Sequence, residues 1–206
     1  MIYLLHVFYG IAMAYFGLIS PGMLNMTVLK TRMNVGKIES VKFALGAAFI
    51  VFFQAGIALF FAEFFIENPK VIEFLKMAGI FVFFILAIFF FILSRKKMEA
   101  KSKISKGNYF FKGMAMSSVN MLAIPFYLGI SIYLGSINKI IIEQPYILLF
   151  VSGAATGSFL LFYTYIFFAK IISKRISFIA TNINIILSLL FLSLGIFTLI
   201  KLMGLL

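Results

Sequence analysis

Charge in this chain is gathered into short clusters, and between them lie six long apolar runs at about 3–29, 41–61, 71–93, 109–135, 145–169 and 177–203. At 1.5 Å per residue, runs of roughly 20 to 28 residues can cross a hydrocarbon core of about 30 Å as tilted helices. The pattern predicts an all-α membrane protein of six transmembrane helices.

The first run contradicts itself at Ser20-Pro21-Gly22-Met23-Leu24-Asn25. Proline inside a helix removes a donor and clashes with the preceding turn, at a cost of about 3 kcal/mol, and the glycine adds to it. Backbone groups freed at membrane depth are tolerated only where protein or a water-filled cavity satisfies them. The break is therefore expected to face other helices or a pathway. The fourth run repeats the feature with Asn120 and Pro125 in its interior.

Small residues mark two other runs. The second opens on Ala44-Leu45-Gly46-Ala47-Ala48, and the fifth contains Gly153-Ala154-Ala155-Thr156-Gly157-Ser158, in which Gly153 and Gly157 form a GxxxG pair. Such patches let helices approach closely, either within one chain or across a homodimer. Asn182 and Asn184 punctuate the sixth run.

Basic residues concentrate in three connections: Lys30, Arg32, Lys37 and Lys42; Arg95, Lys96, Lys97, Lys101, Lys103 and Lys106; Lys170, Lys174 and Arg175. The other two connections lack this bias. The positive-inside rule makes the first set cytoplasmic and puts both termini outside the cell membrane. Residues 94–108 then form a basic cytoplasmic loop between three-helix halves at 1–93 and 109–206, and an odd number of spans per half makes the second copy inverted. The starts of the second and third runs precede those of the fifth and sixth by about 104 to 106 residues, and a shift of about 104 brings Pro21 onto Pro125.

Composition agrees with this and removes alternatives. Of 206 residues, 64% are hydrophobic and 12% charged, with mean hydropathy +1.14, which excludes a soluble domain. The net charge of +12 reads as topology and contact with anionic lipid at the cytoplasmic face rather than nucleic-acid binding. Absence of cysteine excludes disulfides and thiol chemistry. The N-terminus lacks the positive region of a secretory signal and is expected to remain.

Buried amides are the candidate chemistry. Asn25 falls one turn beyond Pro21, on nearly the same face, and with Asn120 it could bind the polar groups of a zwitterion beside unwound backbone. Gln54 sits mid-run in Phe52-Phe53-Gln54-Ala55-Gly56 and needs a partner on another helix. Thr156 and Ser158 could line the same space. The competing reading is that these side chains clamp helices together, each bond contributing about 0.6 to 2 kcal/mol. There is no aspartate, and the glutamates lie in connections or near run ends, Glu63 and Glu73 closest to membrane depth. His6 is expected to be an interfacial side chain. No metal-ligand cluster, cofactor motif or nucleophile and base pair is evident, so neither metal binding nor enzyme activity is expected.

With Pro21-Gly22 followed by Asn25, Gly36, the Leu45-Gly46-Ala47-Ala48 patch, a basic loop, and Asn120 in a broken fourth run, the chain resembles the lysine exporter family of amino-acid and metabolite exporters over nearly all six runs. The resemblance implies a gradient-driven exporter of small amino-acid-like metabolites in the cell inner membrane. The residues expected at its substrate site, between broken helices 1 and 4, are Ser20, Pro21, Gly22, Asn25, Gln54, Asn120 and Pro125. The alternatives are a non-transporting membrane assembly subunit and a lipid-handling protein whose polar groove opens to the bilayer.

Overall fold

A computed structural model describes residues 2–19, 22–67, 80–81, 84–85, 87–88, 91–92, 107–120, 122–175 and 177–203. Among them, regular structure is helical: α1 Ile2–Gly17, α2 Met23–Asn34, α3 Lys37–Glu67, α4 Tyr109–Ser118, α5 Ala123–Ser136, α6 Tyr146–Phe167, α7 Ala169–Arg175 and α8 Ser177–Leu202. In lipid a helix satisfies its own backbone, which is why apolar sequence takes this form. The described positions between 80 and 92 are also helical.

Two helical stretches, Lys37–Phe64 and Tyr146–Phe167, are long and apolar enough to cross a membrane by themselves among the described residues. The pair Tyr109–Ser118 and Ala123–Gly135, bent by 65°, makes a third if counted as one broken span. Six were expected. The first run is divided into a 16-residue apolar helix and a 12-residue helix carrying Lys30, Thr31, Arg32 and Asn34, so neither part meets the length and hydropathy of a span. The third run lies largely outside the described residues.

The chain forms two compact units, each drawing on both sequence halves. The first comprises Met1–Ile66 and Lys103–Arg175, the second Glu67–Ser102 and Ile176–Leu206. Within the second, Ser188 Oγ donates to Ala87 O at 2.8 Å.

Glycine sets the two main crossings of the first unit. Gly10, Gly153 and Gly157 bring α1 and α6 so close that a Cβ on Gly10 would meet the Phe150 carbonyl, on Gly153 that of Val7, and on Gly157 that of Ile11. The GxxxG pair thus packs within the chain. On α3 and α4, a Cβ on Gly46 would meet the Phe110 carbonyl, and one on Gly113 the Phe43 carbonyl. The segments carrying the long-helix glycines read Phe43-Ala44-Leu45-Gly46-Ala47-Ala48 and Phe150-Val151-Ser152-Gly153-Ala154-Ala155. Gly10 lies against Phe150 O and Ala154 N, as Gly113 lies against Phe43 O and Ala47 N.

Local chemistry fixes the ends. Asn108 caps α4, its Oδ1 accepting the Phe110 N–H at 3.0 Å. After α2 the N–H groups of Val35 and Gly36 both reach Thr31 O, at 2.9 and 3.0 Å, and Gly36 adopts φ +145, open only to glycine, to turn the chain into α3.

His6 corrects its expected interfacial position. It is buried: Ile141 N–H donates to Nε2 at 2.8 Å, and Nδ1–H donates to Ile2 O at 2.8 Å. Its ring centroid lies 4.8 Å from that of Tyr146, which stacks on Tyr3 at 5.4 Å. The connection before α6 folds back over the start of α1 and covers the imidazole.

Candidate functional site

At the first break, α1 ends on Gly17 and α2 resumes at Met23, with Gly22 as an N-cap that offers no side-chain acceptor. The chain leaves α1 through Leu18 N–H to Ala14 O at 3.2 Å and Ile19 N–H to Phe16 O at 3.4 Å, so the Leu18 and Ile19 carbonyls have no continuing helix. Side chains meet them. Asn25 Nδ2 donates to Leu18 O at 2.7 Å, and Tyr165 of α6 donates through its hydroxyl to Ile19 O at 2.8 Å. Close by, the Tyr15 hydroxyl and Thr164 Oγ1 are hydrogen-bonded at 3.0 Å.

The second break is held similarly. Between α4 and α5, Asn120 N–H donates to Ser117 O at 3.0 Å and Ala123 N–H to Asn120 O at 3.3 Å. Gln54, from the middle of α3, donates through Nε2 to the same Ser117 O at 2.9 Å. An unsatisfied carbonyl in hydrocarbon costs several kcal/mol, whereas an interhelical hydrogen bond contributes about 0.6 to 2 kcal/mol. At Leu18 O and Ile19 O the caps therefore matter chiefly by preventing a loss, whereas at Ser117 O, which already accepts the Asn120 N–H, Gln54 adds a second bond.

The two breaks adjoin. Gly17, the last residue of α1, faces the Phe126 ring in the first turn of α5, where a Cβ would collide with it. Ala14 before one break and Ala123 and Tyr127 after the other belong to one buried cluster with Val51, Ala55 and Phe150.

Three buried polar atoms in this region have no hydrogen-bond partner: Gln54 Oε1, Ser117 Oγ and Tyr127 Oη. Ser117 is unusual because a helical hydroxyl can return to its own backbone. Ser118 does so to Met114 O at 2.9 Å, Ser131 to Leu128 O at 3.0 Å and Ser158 to Ala155 O at 2.8 Å. Ser117 and Tyr127 are both fully buried.

Of the expected site residues, Asn25 and Gln54 are buried at the two breaks and Gly22 caps α2. Asn120 is half-buried and its main chain shapes the second turn. Pro125 is exposed and stands in the first turn of α5, after the turn rather than in it, where a missing N–H costs nothing. Ser20, Pro21 and Glu73 lie outside the described residues. Thr156 is exposed and returns to Ser152 O at 2.8 Å. Sequence reasoning missed Ser117, Tyr127 and Tyr165; the available signal was a hydroxyl far inside an apolar run, where tyrosine cannot serve as an interfacial anchor.

A cavity of about 280 Å³ lies between α3 and α6, walled by Phe52, Phe60, Ile147 and Val151, with Glu63 and Gln144 as its polar members. The break residues do not line it.

A family model described as LysE type translocator matches residues 15–202. The chain belongs to the LysE type translocator family. No curated protein and no solved structure matches it. The match begins within α1, after Val7, Gly10 and Ile11 of its glycine crossing with α6, and takes in both breaks, the crossing of α3 with α4, and α8, so the capped turns belong to the translocator's matched region. Membership and the apolar helices make this a multi-pass membrane protein of a transporter family.

Proposed function

We propose that this protein exports small amino-acid-like metabolites across the cell inner membrane, driven by a gradient, along a path between the α1/α2 and α4/α5 breaks. The observation that carries the reading is the pair of adjoining helix breaks whose carbonyls are held by uncharged side chains, Leu18 O by Asn25, Ile19 O by Tyr165 and Ser117 O by Gln54. Interrupted helices supply main-chain donors and acceptors at membrane depth, where an intact helix supplies none. Asn25, Gln54 and Asn120 are the substrate-facing amides of this proposal. Ser20, Pro21 and Gly22, between α1 and α2 in the sequence, belong to the proposed site, and Pro125 stiffens the helix after the second break.

The same proposal has six spans in two inverted three-helix halves with both termini outside. The matched glycine crossings support it: α1 on α6 and α4 on α3 exchange the roles of the halves while keeping the same contacts. Outward direction and gradient coupling rest on the family.

The test is counterflow of labelled amino acids into proteoliposomes, with Asn25→Ala and Asn120→Ala reconstituted at matched levels. Flux by the parent protein and its loss in either variant is the expected result. Unchanged flux in both variants removes the two amides from the site, and no flux for any amino acid by folded protein rejects transport in favour of an assembly subunit.

A further inference from the structure

The cavity between α3 and α6 lies apart from the breaks, and the transport reading makes no use of it. Ile147 and Val151, both buried, form its floor, while Phe60 and Leu148 stand at its mouth, 67% and 53% exposed. Its polar members sit where the spans end: Glu63 is the penultimate residue of the stretch Lys37–Phe64, and Gln144 comes just before Tyr146–Phe167 begins. Phe52, at the other extreme of the α3 wall, is near the middle of its span. From Phe52 to Glu63 the helix rises about 16 Å, against about 15 Å for half of a hydrocarbon core. The cavity is thus as long as one leaflet is deep, apolar toward the bilayer centre and polar at headgroup level.

Gly56 belongs to the same wall and has no packing reason to be glycine. Gly10, Gly46, Gly113, Gly153 and Gly157 each let a neighbouring main chain approach, whereas a Cβ on Gly56 would meet nothing within 4 Å, although glycine is a poor helix former. Gly129 also meets nothing but is exposed; Gly56 is half-buried, and what it preserves is open space inside the wall. We propose that this cavity seats one acyl chain of a phospholipid whose headgroup carries a primary ammonium, of the phosphatidylethanolamine kind, as a resident of the protein and not as its cargo. A volume of about 280 Å³ is just below the range of about 300–1,000 Å³ for sites that enclose a whole drug-sized molecule, so it takes one chain and leaves the rest of the lipid in the bilayer. Charge selects the headgroup. Among the described residues, Glu63 is the one charged member of the wall; Glu143, beside Gln144, is exposed and of the same sign, and Lys139 in that connection is exposed and outside the wall. A carboxylate only accepts hydrogen bonds, so it favours an ammonium with three donors over a trimethylammonium with none, and it repels an anionic headgroup. The Gln144 amide can donate to the lipid phosphate.

The chain contains no tryptophan, so Phe60→Trp sets a single fluorescent reporter at the mouth of the cavity. The full chain with this substitution is reconstituted in phosphatidylcholine vesicles into which phosphatidylethanolamine or phosphatidylglycerol with brominated chains is titrated, and quenching gives the binding of each relative to phosphatidylcholine. Phosphatidylethanolamine is expected to be preferred about tenfold, the worth of a charge-assisted hydrogen bond, and phosphatidylglycerol not at all. Adding Glu63→Gln should reduce the preference to about one by removing the charge. Adding Gly56→Leu should abolish it by filling the space that Gly56 leaves open, with elution in detergent as for the parent. Glu63→Gln alters a half-buried side chain at the end of a span and decides the matter even if the leucine variant does not fold. Equal quenching by all lipids before these additions, or a preference for phosphatidylglycerol, overturns the inference. So does a phosphatidylethanolamine preference that survives Glu63→Gln, which would place the lipid elsewhere, and so does a reporter that no brominated lipid quenches, which would mean that protein covers the cavity. None of these outcomes bears on the transport reading.

Discussion

Replacing Gly157 by alanine inserts one methyl group where α6 meets the main chain of α1. A Cβ there would lie 2.7 Å from Ile11 Cα and closer still to the Ile11 carbonyl oxygen, and a backbone obstacle cannot rotate aside. The helices must part by roughly 1 Å, and such a gap forfeits about a quarter to a half of the dispersion attraction at each contact across the seam. Overpacking of this kind costs about 1 to 3 kcal/mol, while alanine's better helix propensity returns about 1 kcal/mol. The net expectation is a loss of up to about 2 kcal/mol, or a melting temperature lower by up to about 8 °C for a chain of this size. Gly56 on α3 and Gly129 on α5 provide internal controls, because a Cβ on either meets nothing within 4 Å. Their alanine variants keep the propensity gain without the collision and should melt at or above the parent. Thermal unfolding in detergent, followed by retention of the monodisperse peak, makes the comparison. If Gly157→Ala proved as stable as Gly56→Ala, the close crossing of α1 and α6 would be refuted.

Two further substitutions probe the caps and the connection over α1. Tyr165→Phe deletes the hydroxyl that holds Ile19 O but keeps the ring, leaving that carbonyl without its cap, so a stability loss of about 1 to 3 kcal/mol and slower counterflow are expected; melting and flux equal to the parent would show that this carbonyl has another partner. His6→Ala removes both the bond from Ile141 N–H and the ring beside Tyr146, and should cost about 1 to 3 kcal/mol with increased proteolysis in the 137–145 connection, whereas unchanged cleavage would contradict the docking seen there.

Composition and periodicity made the helical membrane character legible, because each apolar run is long and the charges between runs are few. They also located the first interruption: Pro21-Gly22 falls between the helices ending at Gly17 and beginning at Met23. In the second, proline misled. The turn centres on Asn120, and Pro125 follows it in the first turn of α5, the one part of a helix that proline enters without loss. His6 misled for a different reason. Its place near the start of a run reads as interfacial, yet the Ile141 N–H that buries it comes from a connection 135 residues away.

The partnerships at the breaks were illegible for the same reason. That Gln54 needs a partner follows from burying an amide among phenylalanines, but its acceptor, Ser117 O, is a main-chain atom that no side-chain pattern advertises. The same holds for Ile19 O under Tyr165. Main-chain groups are released only where a helix stops, so each cap joins two facts: where one helix breaks, and which long helix passes beside it. Sequence supplies the first through proline, glycine and asparagine. The second depends on the glycine crossings, since Gly153 and Gly157 set α6 against α1 and Gly46 with Gly113 set α3 against α4. Those crossings carry Tyr165 and Gln54 along their helices to the level of the breaks. The close packing and the capped turns are therefore one arrangement: a substitution that parts the helices at Gly157 should also draw Tyr165 from Ile19 O, although eight residues separate them along α6.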